Sequence, residues 1–284
     1  MFPFVTHTWN LVRGECPHGC RYCYMWGHPS WNEGPHLVAA ELKICPLAMK
    51  QEARVVFIGS STDLFADEIS DEMITSVLQH LKKHHPGRCC KRRHKNSSVQ
   101  YLFCTKNPGR YQTFIDRDLI PAGSWLGVTI ETNRPLLFGK VPISKAPDPE
   151  ERFRWLKHLG QLGWPTLLSI EPVIRFDEER FLELIVDAAP VMVAVGVDSR
   201  NDIDREVKSI PEPRPGELAH FIDELASAGH PPVLKKNILR LLPAARVWDP
   251  KKGDDSTVDQ VRTAGGAVGG STGQHKHAQR RFDF

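Results

Sequence analysis

The sequence predicts an α/β protein built as an incomplete parallel barrel, a partial (β/α)6 TIM-type fold, and three observations predict it. Short β-rich segments alternate with helical ones about six times, and strands separated by helices pair in parallel through right-handed crossovers. Most of the strand segments are near-continuous apolar runs, the pattern of strands covered on both faces. Polar residues collect at the carboxyl ends of successive strands, where barrel enzymes carry their sites. The alternation alone fits an open sheet equally well; this last observation favours the barrel.

Strands are expected at 8–12, 55–59, 100–106, 125–131, 166–171 and 191–197, with a weaker pattern at 232–238. A helix follows Ser70, with Asp71 and Glu72 in its first turn and Met73, Val77, Leu78 and Leu81 as its apolar stripe. Asp148 caps the next, which starts on Pro149, buries Phe153, Leu156 and Leu159, and stops at Gly163. Asp177 caps a third, carrying Phe181, Leu184, Ile185 and Ala188. A last helix is expected from about Gly216 to Gly229.

The 284 residues are 40% hydrophobic and 25% charged, values of an ordinary globular protein. We expect one barrel domain over 1–249, interrupted by a basic insertion at 82–98, and a disordered tail at 250–284 rich in Gly, Ser, Thr and charge. The formal charge of +3 is largely in the tail; the remainder holds 31 basic against 30 acidic residues, which argues against a general nucleic-acid or membrane surface. The segment 82–95 (KKHHPGRCCKRRHK) is the exception, with seven Lys or Arg and no acid; it reads as a solvated insertion or a phosphate-facing loop. No apolar run approaches membrane-spanning length and no secretory signal opens the chain, so a cytoplasmic location is expected. Seven cysteines in such a chain point to metal or chemistry rather than to disulfides.

Residues 14–24 read GECPHGCRYCY, so Cys16, Cys20 and Cys23 follow the first strand with spacing C-x3-C-x2-C. Pro17 and Gly19 favour a tight wrap. A structural zinc site normally has four protein ligands; here the fourth would be His18, His28 or Cys45. A redox or buried-thiol role is a further alternative. An iron–sulfur cluster accounts best for three thiols at short spacing with one position open.

This loop, with the aromatic Tyr22 before its third cysteine, resembles the radical S-adenosylmethionine superfamily. The pair WN near the start (Trp9, Asn10) and the segments FIGSSTDLF (57–65), LFCTKNPGR (102–110), WLGVTIETNR (125–134), LLSIEPV (167–173) and VGVDSR (195–200) are similar to an uncharacterised, phage-associated branch of it, over roughly the first 240 residues. The resemblance implies that Cys16, Cys20 and Cys23 hold a [4Fe-4S] cluster whose fourth iron is chelated by S-adenosyl-L-methionine. One electron then yields methionine and a 5′-deoxyadenosyl radical that abstracts hydrogen from the substrate. It also implies a one-electron donor, flavodoxin- or ferredoxin-like, and cofactor contacts from Tyr22 and from Gly59, Ser60 and Ser61, with Asp63 replacing the acid usual in that stretch. The substrate stays open, nucleic acid included.

Glu131 and Glu171 close the fourth and fifth strands in apolar contexts, so both carboxylates are expected at the open end of the barrel. Glu131 suits a ribose diol and Glu171 suits substrate contact or acid–base work; pairing with Arg134, Arg175 or Lys106 is the structural alternative. Asn133 and Arg134 are candidates for the cofactor carboxylate. Lys106 and Asp198 end the third and sixth strands and are assigned with Glu171 to catalysis. Lys235 and Lys236 are weaker candidates from the seventh. Cys104 is expected to be a small core residue. A zinc-stabilised nucleic-acid-binding module, or a cluster-binding barrel without turnover, are the competing readings.

Overall fold

A computed structural model describes residues 2–43, 55–83, 99–138, 141–198 and 210–247. They belong to one compact unit, Met1–Trp248. The predicted tail, Cys45, Cys89, Cys90 and most of the basic insertion (84–98) lie outside the described residues.

Seven strands form one parallel sheet in strict chain order: β1 (His7–Trp9), β2 (Val55–Ile58), β3 (Gln100–Thr105), β4 (Trp125–Thr129), β5 (Thr166–Ile170), β6 (Met192–Val195) and β7 (Val233–Leu234). A doubly wound sheet reverses its order at a switch point; this one never does, and it curls as a half-barrel with β1 and β7 at its two ends. The helices are α1 (Asp71–Lys83), α2 (Arg110–Asp116), α3 (Pro149–Gln161), α4 (Glu178–Ala188) and α5 (Pro215–Ser227). Among the described residues no helix is long and apolar enough to cross a membrane.

Period-two alternation explains why the strands are apolar throughout. Val56, Ile58, Tyr101, Phe103, Leu126, Val128, Leu168, Ile170, Val193 and Val195 join one core with the helix stripes. The intervening Val55, Leu102, Trp125, Leu167 and Ala194 form a second core, together with Phe2 and Val5 from the start of the chain. Phe2 stacks on Phe4 and meets Phe57 edge-on, so the N-terminal segment fills the barrel interior below the site. Continuing the inner-facing parity upward reaches Lys106, Glu131, Glu171 and Asp198. One rule thus accounts for both the apolar floor and the polar mouth.

One helix is added to those expected, and two local expectations are corrected. Helix α2 has only seven residues and no extended stripe to announce it, yet Tyr111 and Phe114 are fully buried. In α1 the buried stripe includes Ile74 where Met73 was expected. Asp148 and Asp177 stand at the N-cap positions of α3 and α4 without making a side-chain cap bond; Asp177 is instead engaged by Arg134.

Candidate functional site at the mouth of the barrel

After β1 the chain forms a short antiparallel pair, Val12–Arg13 with His36–Leu37, whose outgoing arm leads into the cysteine loop. Gly14 closes the base of that loop at φ 115°; a Cβ there would lie 2.8 Å from the Glu33 carbonyl oxygen and closer still to that of Gly34. Gly14→Ala is therefore expected to destabilise the fold by ~2 kcal/mol or more, from backbone strain and the clash together, measured by urea unfolding. Within the loop two turns follow each other: Gly19 N–H donates to Cys16 O (3.1 Å) and Cys23 N–H to Cys20 O (3.0 Å). Cys20 is buried, while Cys16 and Cys23 are partly exposed.

The residues between the cysteines fix the loop to the strand ends. His18, buried between Cys16 and Cys20, places Nε2 2.9 Å from Asp63 Oδ2. The same oxygen accepts from Thr105 Oγ1 (2.9 Å) and Lys106 N–H (2.8 Å), and Oδ1 accepts from Phe65 N–H (3.0 Å). Burial alone would raise the Asp63 carboxyl, but the His18 bond, the His18 charge and the backbone donors outweigh it and hold the group below its ordinary range.

Tyr22, between Cys20 and Cys23, donates its hydroxyl to Glu131 Oε1 at 2.6 Å. Lys106 Nζ donates to that oxygen as well, and Arg152 Nη1 reaches Oε2 at 2.7 Å. Lys106 also lies 5.3 Å from the centre of the Tyr22 ring. Glu131 and Arg152 are both 0% exposed. Burial opposes ionisation of Glu131, yet Lys106 and Arg152 bring it down to about 2.

Because the unfolded carboxyl binds protons at a higher pH than this, the stability contributed by Glu131 is complete above about pH 4.5 and is lost as pH falls towards 2. The urea midpoint should drop between about pH 4.5 and about pH 2, and Glu131→Gln should flatten that slope.

Three protein donors, Tyr22, Lys106 and Arg152, meet the two oxygens of Glu131, so its carboxylate is the hub of a buried network. The pairing with Lys106 matches the structural alternative, and Lys106 is committed to the same network. Asn133 and Arg134 also turn elsewhere: Asn133 exchanges two hydrogen bonds with the Asp177 backbone (2.9 and 3.0 Å), and Arg134 pairs with the Asp177 carboxylate, fixing the β4 exit to the start of α4.

The Gly59–Asp63 turn faces the cysteine loop from β2. Ser60 N–H and Oγ both contact Asn10 Oδ1 (2.8 and 3.2 Å), Tyr24 donates its hydroxyl to Ser60 O, and Thr62 Oγ1 donates to Gly14 O (2.7 Å). Ser61 Oγ is buried with no hydrogen-bond partner among the described residues. On the opposite side of the mouth Glu171 pairs with Lys235 and accepts from Asn237 Nδ2 (3.2 Å). Gly196 lets them meet, since a Cβ there would fall 2.9 Å from both Glu171 Oε1 and Asn237 Oδ1. Asp198 is buried three residues past the end of β6.

Residues 2–153 match a family described as "Protein of unknown function (DUF5131)". The chain belongs to this family. No curated protein matches the sequence. Among solved structures, a spore photoproduct lyase variant with bound AdoMet and dinucleoside spore photoproduct aligns over 90% of this chain and 72% of its own, at 11% identity and a TM-score of 0.50. Streptococcus suis SuiB bound to S-adenosylmethionine aligns over 87% of this chain and 54% of its own, at 10% identity and a TM-score of 0.58. The same protein bound to its precursor peptide SuiA gives 85%, 51%, 9% and 0.59. This DUF5131 chain spans about half the length of SuiB, and at these identities the likeness is one of fold, the partial barrel of the radical S-adenosylmethionine kind.

The donor set can be tested against the two metal readings. Among the described residues no three His, Cys, Asp or Glu side chains stand together as ligands of one ion, as a zinc site requires within ~2.3 Å of a single centre. His18 Nε2, one of the proposed completing ligands, is turned to Asp63. The three thiols are the donor type that a [4Fe-4S] cluster takes. Burial, and after it the Asp63 carboxylate, push the Cys16 thiol up to about 12, so binding there must release a proton.

Sequence reasoning does not single out Arg152, Ser144 or Asn237, and gives His18 only as a metal ligand. Arg152 left a signal: it falls on the buried stripe of α3 with Pro149, Phe153, Leu156 and Leu159, where a charge needs a buried partner.

Proposed function

We propose that this chain is a radical S-adenosylmethionine enzyme in which Cys16, Cys20 and Cys23 hold a [4Fe-4S] cluster whose open iron takes S-adenosylmethionine. The observation that carries the reading is the anchoring of the cysteine loop at the barrel mouth: each interval between cysteines contributes one buried side chain, His18 or Tyr22, to a carboxylate beyond the strand ends. When bound, the reduced cluster would pass one electron to the sulfonium of S-adenosylmethionine, the chemistry that yields methionine and a 5′-deoxyadenosyl radical.

The chain's own residues do the rest. Asp63 and Glu131 hold the loop rigid, as a reactive centre placed to within fractions of an ångström demands. The Ser61 hydroxyl and the Gly59–Asp63 backbone offer polar contacts to the cofactor from β2. Glu171, Lys235, Asn237 and Asp198 form the facing wall, where Glu171 and Asp198 are the candidates to contact substrate. Lys106, expected in catalysis, serves instead to neutralise Glu131. The electron arrives from a flavodoxin- or ferredoxin-like donor. The structural neighbours hold a peptide in one case and a dinucleoside in the other, so the shared fold selects neither substrate class.

Anaerobically reconstituted protein, reduced with dithionite in the presence of S-adenosylmethionine, should release 5′-deoxyadenosine. A colourless protein with stoichiometric zinc, or a reduced cluster that leaves the cofactor intact, would contradict the proposal.

A further inference from the structure

Residues Ile143, Ser144 and Lys145 run alongside the cysteine loop. Arg21 N–H donates to Ile143 O (2.9 Å) and Lys145 N–H donates to His18 O (2.8 Å). Between these two backbone bonds the Ser144 Oγ lies 3.1 Å from Cys20 Sγ, with both residues buried. Ser144 Oγ also accepts the Ala146 N–H at 3.1 Å. That bond occupies a lone pair and leaves the hydroxyl proton available to the sulfur. Once Cys20 is a thiolate it has only lone pairs to offer, so the direction is settled: Ser144 donates and Cys20 accepts.

We propose that Ser144 is a positioning residue that donates a hydrogen bond to the Cys20 thiolate and thereby raises the reduction potential of the iron–sulfur cluster. This rests on the function proposed above. Reduction adds one negative charge to the cluster, and a donor aimed at a ligand sulfur stabilises the more negative state more strongly. The step is a single electron transfer: a reduced flavoprotein or iron–sulfur protein loses one electron, the cluster gains it, and no covalent bond forms or breaks. The Ser144 proton stays on its oxygen.

The test compares reconstituted unaltered protein with Ser144→Ala and Ser144→Thr, titrated against dithionite and followed by electron paramagnetic resonance. Ser144→Ala should retain the cluster iron and titrate at a more negative potential, whereas Ser144→Thr, which keeps the hydroxyl, should return towards the unaltered value. An unchanged potential in Ser144→Ala overturns the inference. A second readout needs no variant: after exchange into deuterium oxide, electron–nuclear double resonance on the reduced cluster should detect a coupled exchangeable deuteron, and its absence overturns the inference equally. Unaltered protein that takes up no iron refutes the proposed function beneath it, so the two failures are distinct.

Discussion

Replacing Cys16, Cys20 or Cys23 by Ala, one at a time, is expected to give a folded protein that no longer assembles a stable cluster, while Cys104→Ala assembles one normally. Folding should survive because the loop is held by other groups: His18 by Asp63, Tyr22 by Glu131, and Gly14 by Thr62. The loss at the metal is large because partners one bond removed from a ligand already change affinity 10–100-fold; removal of a thiolate should exceed about 100-fold. Cys104 makes the control. It lies against Gly127 on the inner face of β3 with its sulfur 3.2 Å from Thr129 Oγ1, and burial pushes its thiol up to about 12. Iron and acid-labile sulfide per chain, with circular dichroism to verify the fold, decide the matter. Loss of cluster from Cys104→Ala, or its retention in any of the three loop variants, would refute the assignment.

Glu131→Gln should be among the most destabilising single substitutions in the chain. It leaves Lys106 and the fully buried Arg152 without a countercharge, and breaking a buried pair in this way costs about 3–5 kcal/mol. For a unit of this size that corresponds to a melting temperature roughly 10 °C lower. The double variant Glu131→Leu with Arg152→Met removes both fixed partners and should recover part of the loss, since an apolar substitute is often tolerated where a half-pair is not. Thermal unfolding of the single and double variants reads both. A change below ~1 kcal/mol in Glu131→Gln would mean that the network does not bear on stability.

The fold was legible because its signals are local and repeated. Each of the seven expected strands has an observed counterpart, and the expected starts of α1, α3 and α4 are met within a residue, since Pro149 and the acidic first turns mark them in the chain itself. The polar mouth followed from the same periodicity. Side-chain partners did not. Glu131 meets Tyr22 and Lys106 across 109 and 25 residues of chain, and Glu171 meets Lys235 across 64, pairings that depend on how the sheet curls rather than on any pattern within one element. For the same reason nothing in the sequence announces that Glu131 meets Arg152. Short α2 gives a weak signal because its seven residues show the helical spacing only once, in Tyr111 and Phe114.

The central claim is an iron centre with one corner open to S-adenosylmethionine, and the electron paramagnetic resonance spectrum of the reduced, reconstituted protein tests it most directly. Addition of S-adenosylmethionine should change the shape of the cluster signal, because the cofactor becomes a ligand to one iron. A signal that the cofactor leaves untouched, or a reduced protein with no cluster signal at all, would contradict it.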